Sequence, residues 1–133
     1  MTEPDALEEL RVQLRQFAAE RDWQQFHAPK NLAIALSVEA AELLEHFQWL
    51  SEQASRRLSA AELEPVREEL ADVLIYLIRL ADELGIDLAA AARDKIGINA
   101  RKYPVETSRG SSRKAAGRGS DVAGDPGNPT SRS

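Results

Sequence analysis

Two pairs of carboxylates stand at chemically useful spacing in this sequence. Glu39 and Glu42 are three residues apart in one segment, and Glu69 and Asp72 repeat that spacing in a second. Residues at positions i and i+3 share one face of an α-helix, so each pair presents its carboxylates side by side. If the two segments are helices that pack antiparallel, all four carboxylates converge.

The neighbouring residues indicate that these acidic faces border a hydrophobic core. Trp49 and Tyr76 continue the two faces, and neither is a typical solvent residue. Like charges a few ångströms apart raise one another's pKa, and a hard divalent cation such as Mg²⁺ relieves that conflict with oxygen ligands. An ordinary solvated acidic face remains the alternative interpretation. The adjoining core face of the second segment is predicted to comprise Leu70, Val73, Leu77, Leu80 and Leu84.

A di-iron carboxylate centre is a competing type of metal site. It requires a Glu-x-x-His step on each of two helices. The two histidines, His27 and His46, do not lie three residues after a glutamate. The sequence therefore disfavours di-iron chemistry.

The elements that must position the acidic pairs are all predicted to be helices. Apolar residues recur at helical spacing throughout, with no convincing strand alternation, so we expect an all-α fold with four helices. Ser59 and Glu62 form a capping box, Asp87 is a good N-cap, and Gly85 is a left-handed stop. The predicted helices cover about residues 4–20, 29–49, 60–84 and 88–102, with a connecting loop or turn at residues 21–27.

The third predicted helix contains an apolar run, residues 73–78, that leaves almost no polar face. A helix of this kind must be covered on every side in a soluble protein. We therefore expect it to lie centrally, and we expect self-association through the remaining apolar faces.

Composition sets the broad class of the protein. The chain has 133 residues, 43% of them hydrophobic, and no cysteine, which suits one globular domain without disulfides. No apolar run reaches the roughly 20 residues of a membrane span, and the first residues are acidic, so a soluble cytoplasmic protein is expected. Residues 1–104 carry 12 Lys and Arg against 19 Asp and Glu, which argues against binding a nucleic-acid polymer. We expect the folded domain to end at residue 104 and the Gly- and Ser-rich residues 105–133 to be a disordered tail.

Four ordered blocks of sequence carry a resemblance to a known family. They are RDWQQFH at residues 21–27, EAAELLEHFQW at 39–49, EELADVLIYL at 68–77 and KIGINARKYP at 95–104. Together they resemble the MazG-like nucleotide pyrophosphohydrolases, and most of all the branch similar to dCTP pyrophosphatases. The resemblance covers about residues 10–104.

The resemblance implies an all-α homotetramer, built as a dimer of dimers, that hydrolyses a nucleoside triphosphate to the monophosphate and pyrophosphate. It implies that Mg²⁺ is held by Glu39, Glu42, Glu69 and Asp72, the same residues that the spacing argument selects. It also implies a pocket for the base and sugar, formed by Trp23, His27, Trp49 and Tyr76. These tryptophans are equally consistent with anchors of a protein interface.

Further candidates are less specific. Glu45 lies one turn beyond Glu42 and is a candidate base for activating water, although a surface glutamate is the commoner explanation. The last predicted helix carries cationic and amide groups that suit terminal phosphates, or that simply complement the helix dipole. These residues are Lys95, Asn99, Lys102 and Tyr103.

One departure bears on specificity. The mammalian branch has a histidine in the first helix, and Leu14 stands at the matching position here. A deoxycytidine triphosphate, standard or modified, stays the first expectation for the substrate. A broader range of deoxynucleoside triphosphates and a dUTPase-like activity are alternatives. The alternative from another class is a non-catalytic helical interaction module.

Overall fold

The computed structural model describes residues 5–112, and every regular element in that range is helical. The expected all-α class is confirmed. The described residues divide into two compact units, the first ending at Ala91 and the second beginning at Ala92. The helices are α1 (Ala6–Glu20), α2 (Pro29–Glu45), α3 (Glu52–Ser55), α4 (Ala60–Glu83), α5 (Leu88–Lys102) and α6 (Val105–Ser108), with a 3₁₀ turn at Gln24–Phe26.

Local chemistry explains where the longer helices begin and end. The Asp5 carboxylate accepts from the backbone N–H of Glu8 at 2.8 Å and caps α1. Ser59 and Glu62 form the expected capping box at the start of α4, with bonds of 3.0 and 3.1 Å. Gly85 follows α4 with φ of 68°, a left-handed conformation that favours glycine and ends the helix.

Helix α4 is the central element of the first unit, because both α1 and α2 pack against it. The order of contacts shows that α2 and α4 run antiparallel. His27, just before α2, contacts Arg79 near the end of α4, whereas Glu39 further along α2 meets Asp72 earlier in α4. The central position predicted for this helix is therefore confirmed.

The core of the unit is smaller than the apolar pattern predicts. Leu70 and Leu84, assigned to the core face from their spacing, are 53% and 51% exposed. The buried apolar face is instead turned toward α1 and α2, where small and medium side chains fit between the helices. The buried apolar residues of the unit are Ala18 of α1, Leu32 of α2, and Val66, Ile78 and Ala81 of α4.

Two boundaries differ from the sequence prediction. Helix α2 ends at Glu45 and not at Trp49, because the following backbone tightens into turns, with the N–H of Phe47 donating to the carbonyl of Leu44 at 2.8 Å. The residues after the expected domain end include the one-turn helix α6, so Val105–Ser108 is not disordered as expected. The remainder of the predicted tail, residues 113–133, lies outside the described residues.

Within residues 5–112, no helix combines the length and apolar character that crossing a bilayer requires.

Candidate metal centre

Three carboxylates from two helices meet in the first unit. Glu39 in α2 and Glu69 and Asp72 in α4 each place one oxygen so that the three atoms lie within 4.8 Å of one another. All three side chains are half-buried. The antiparallel packing of α2 on α4 therefore produces the convergence that the i, i+3 spacing predicts.

The fourth predicted ligand, Glu42, lies beside this group and is also half-buried. It stands one turn further along α2 than Glu39, and its charge and hydrogen bonding act on Glu39. It does not belong to the set of three whose oxygens lie within 4.8 Å. The structure thus brings three of the four carboxylates into one cluster and places the fourth next to it.

The electrostatics of the cluster centre on Glu39. The pKa of the Glu39 carboxyl is raised to about 7, and burial is the largest cause. The neighbouring Glu69 and Glu42 carboxyls and the negative charges of Glu42 and Asp72 account for the rest of this rise. The acid form of Glu39 can donate its proton to a neighbouring carboxylate, whereas three fully ionised carboxylates repel one another.

Two oxygens of the cluster lack a donor. Oε2 of Glu39 and Oε2 of Glu69 are buried, and neither has a hydrogen-bond partner among residues 5–112. Buried polar atoms normally have partners, so orphaned oxygens indicate a missing group. The donor set consists only of carboxylate oxygens from these residues, which suits a hard cation such as Mg²⁺ and not a soft metal. The residues therefore fit the group that the sequence implies.

A buried ionic network lies next to the start of α2, and the sequence analysis did not find it. Arg79 in α4 is 3% exposed and contacts His27, Asp82 and Glu83. Asp82 in turn accepts from Arg15 of α1. The sequence does contain a signal for this network, because Arg79 interrupts an apolar helical run and is followed by Asp82 and Glu83 at i+3 and i+4.

The predicted base pocket is brought together only in part. The rings of Trp23 and His27 lie 6.5 Å apart, and Phe17 packs edge-on to Trp23 at 5.7 Å. Tyr76 is half-buried one turn after Asp72. Trp49 is 87% exposed, and no ring contact within residues 5–112 joins it to the other aromatic residues.

The remaining candidates are not among the three clustered carboxylates. Glu45 is exposed at the last residue of α2. The four candidates for phosphate binding belong to the second unit, three of them in α5 and Tyr103 directly after it, and the Lys102 ammonium lies 5.3 Å from the centre of the Tyr103 ring. They are Lys95, Asn99, Lys102 and Tyr103, and their role in binding phosphate stays a prediction.

This arrangement, an all-α fold with carboxylates converging from two antiparallel helices, agrees with the comparison to known families. The model of the MazG-like family matches residues 34–116. That match covers more than half of the chain and includes the whole acidic cluster. The protein therefore belongs to the MazG-like family.

Individual relatives agree with this assignment. The chain is 48% identical over 110 residues to dCTP pyrophosphatase 1 of Homo sapiens and 47% identical to that of Rattus norvegicus, in each case over 81% of this chain. It spans 65% of the length of those relatives. The crystal structure of a pyrophosphatase from Archaeoglobus fulgidus superposes with a TM-score of 0.72 at 43% identity, over 78% of this chain and 97% of that one.

Proposed function

We propose that this protein is a Mg²⁺-dependent nucleoside triphosphate pyrophosphohydrolase that converts dCTP, or a modified dCTP, to the monophosphate and pyrophosphate. The observation that carries the proposal is the carboxylate cluster with two orphaned buried oxygens. Membership of the MazG-like family supports it, as do relatives named dCTP pyrophosphatase 1. Removal of damaged or surplus nucleotides from the cytoplasmic pool is the role that this activity serves.

In this proposal Glu39, Glu42, Glu69 and Asp72 hold the cation. When bound, Mg²⁺ offsets the charge of the triphosphate oxygens and of the departing pyrophosphate. Glu39 must lose the proton that its raised pKa favours before it can act as a ligand. The cluster is therefore ready to exchange a proton for a cation, which couples binding to pH.

The other predicted residues are proposed to bind the nucleotide or to accept the proton of the attacking water. Trp23 offers an aromatic face to the base, and His27 offers a ring nitrogen for hydrogen bonding. Glu45, exposed at the end of α2, is proposed to accept the proton of the attacking water. Phosphate contacts are assigned to Lys95, Asn99, Lys102 and Tyr103, and Trp49 and Tyr76 complete the nucleotide pocket.

A homo-oligomer, arranged as a dimer of dimers, is part of the proposal. Large apolar side chains are exposed on all three packed helices of the first unit, and exposed apolar surface of this kind favours association with another protein surface. A second copy of the chain would cover them. They include Val12, Phe17, Ile34, Val38, Leu44, Leu70 and Leu74.

The products of hydrolysis test the proposal directly. Purified full-length protein is incubated with dCTP and Mg²⁺, and the phosphorus-containing products are followed by ³¹P NMR. We expect dCMP and pyrophosphate as the first products. Release of orthophosphate first would contradict the assigned bond cleavage, and no turnover of any nucleotide would favour a non-catalytic interaction module.

A substrate panel then resolves the specificity. dCTP, modified dCTPs, dUTP and the other deoxynucleoside triphosphates are compared by kcat/KM for pyrophosphate release. A preference for deoxycytidine nucleotides supports the proposal. Equal rates on all of them would establish a broad-specificity enzyme, and preference for dUTP a dUTPase-like one.

A further inference from the structure

Arg79 and His27 form a contact that the family-level function does not explain. The Nε and Nη2 atoms of Arg79 lie 3.4 and 3.3 Å from Nδ1 of His27, so two guanidinium N–H groups face one ring nitrogen. Arg79 is 3% exposed, whereas His27 is half-buried. The arginine therefore sits behind the histidine, on the side away from solvent.

The chemistry of the two groups determines which ring nitrogen of His27 carries a proton. A guanidinium group has only donors and stays protonated in proteins. Nδ1 of His27 can accept from it only when Nδ1 is unprotonated, which leaves the proton of the neutral ring on Nε2. Within residues 5–112, the hydrogen bonds of the ring all involve Nδ1. Nε2–H remains available to donate to another molecule.

The charges around the ring favour the same state. Burial lowers the pKa of His27, and the positive charge of Arg79 lowers it further, whereas Glu83 opposes the shift. Glu83 is itself paired with Arg79 at 2.7 Å, so its charge is largely compensated. Trp23, the other neighbour of the ring, is uncharged.

Arg79 is held rigidly enough to impose this state. Asp82 accepts from its Nη1 at 3.1 Å and Glu83 from its Nη2. Asp82 is fixed in turn from α1, by Arg11 at 3.1 Å and by Nε of Arg15 at 3.0 Å. This chain of ion pairs links α1, through Asp82 and Arg79, to the Nδ1 side of the His27 ring.

We propose that Arg79 is a positioning residue that holds His27 as a neutral imidazole with its proton on Nε2, ready to donate to an acceptor atom of the bound nucleotide. The functional half of this inference rests on the proposed function, because it takes His27 as a nucleotide contact. A fixed donor pairs with an oxygen or an unprotonated ring nitrogen and rejects an N–H group at the same position.

The tautomer is measurable without any substrate. The sequence contains two histidines, His27 and His46, so a long-range ¹H–¹⁵N correlation spectrum of the full-length protein shows two rings. The variant His46→Gln assigns them. We expect His27 to show a protonated Nε2 and an unprotonated Nδ1, and to stay neutral below the ordinary histidine pKa of 6.5. A spectrum with the proton on Nδ1, or with both forms in exchange, would overturn the proposal.

Variants of Arg79 test the cause. In Arg79→Met we expect the His27 tautomers to mix and its pKa to rise, while Arg79→Lys, which keeps a donor, retains the Nε2–H form. Arg67→Met is the matched control, because Arg67 is exposed on the same helix. If Arg79→Met does not fold, the double variant Arg79→Met/Asp82→Asn also removes the buried carboxylate charge that Arg79 contacts. An unchanged His27 spectrum in a folded Arg79 variant would refute the positioning role.

Kinetics separate this inference from the proposed function. Arg79→Met and His27→Gln should each raise KM for dCTP about tenfold, as expected for one hydrogen bond, with a smaller change in kcat. The double variant Arg79→Met/His27→Gln should have a KM little higher than that of either single variant, because both changes remove the same contact. Additive effects would contradict the coupling. If the wild-type protein releases no pyrophosphate at all, the proposed function fails while the spectra still decide the tautomer.

Discussion

Glu39 on α2 and Asp72 on α4 bring carboxylate oxygens within 4.8 Å of each other, in a cluster where burial and the neighbouring carboxyl groups together raise the pKa of Glu39 to about 7. Two charges at that distance in a partly desolvated site repel strongly unless a proton or a cation lies between them. We therefore expect the cluster to be stabilised either by a proton or by a bound cation, so pH and Mg²⁺ should compete for it.

The metal-free protein should lose stability as pH rises from 4.5 to 7. In that window the folded state keeps a proton on Glu39 that the unfolded chain releases at its ordinary pKa of 4.5, so the folded state binds more protons and raising the pH favours unfolding. Glu39→Gln has no proton to release at this position, so its free energy of unfolding should not fall for this reason. The difference in free energy of unfolding between Glu39→Gln and wild type should therefore grow from pH 4.5 to 7. Urea unfolding in EDTA measures it, with Glu68→Gln, at an exposed position of α4, as the control. A constant difference between variant and wild type would contradict the assignment.

Replacing Glu69 should abolish the response to Mg²⁺ without unfolding the protein. Removing a group that only orients a metal ligand typically lowers metal affinity or activity by about 10–100-fold. Glu69 is a proposed ligand itself, so we expect Glu69→Gln to lower the rate of pyrophosphate release by at least about 100-fold. Its thermal midpoint should no longer rise when Mg²⁺ is added. Glu68→Gln changes the adjacent residue in the same way and should behave as wild type. If Glu69→Gln kept near-normal turnover, the cluster would not be the metal centre.

The sequence predicted the elements of this site better than their surroundings. Spacing alone placed Glu39, Glu69 and Asp72 on facing helices, because helical periodicity and antiparallel packing leave little freedom. Periodicity did not identify which side of α4 is buried. Its apolar residues surround the helix, so the pattern did not distinguish the face of Leu70, which is exposed, from the face of Ile78, which is 3% exposed.

Arg79 shows a different limit of sequence reasoning. An arginine between Ile78 and Leu80 is predicted from sequence to be a surface residue, because unpaired charges are almost never buried. Its burial depends on partners brought by tertiary structure, including Arg11 and Arg15 of α1 acting through Asp82. These contacts join residues 67 and 71 positions apart, a separation that no local pattern encodes.

Asp82 should be among the most sensitive polar positions for stability. Its side chain is 5% exposed and accepts from three arginines, and the hydrogen bond from Arg15 is the main cause of its lowered pKa. Asp82→Ala leaves the buried Arg79 charge poorly compensated, which should lower the free energy of unfolding by about 3–5 kcal/mol.

The control for Asp82→Ala is Glu64→Ala, which removes an exposed ion pair with Arg67 on the same helix. It should cost less than about 1 kcal/mol in urea unfolding at pH 7. The contribution of Asp82 should also disappear in acid, since a lowered pKa stabilises the fold above pH 3.8 and that stabilisation is lost as the carboxylate protonates. Equal costs for the two variants would show that the buried network adds no stability.

Two glycines should respond to alanine with opposite signs. Gly85 has φ of 68°, and apart from its chain neighbours no atom of residues 5–112 lies within 4 Å of the position that an alanine Cβ would take. Gly85→Ala therefore meets only backbone strain and should cost about 1–2 kcal/mol. Gly97 lies inside α5, and its added Cβ would meet Nη1 of Arg101 at 3.8 Å, an ordinary contact. Gly97→Ala should therefore raise the free energy of unfolding by about 0.5–1 kcal/mol. Thermal unfolding of both variants measures the change in stability relative to wild type. A stabilised Gly85→Ala would show that α4 is not followed by a residue in the left-handed conformation.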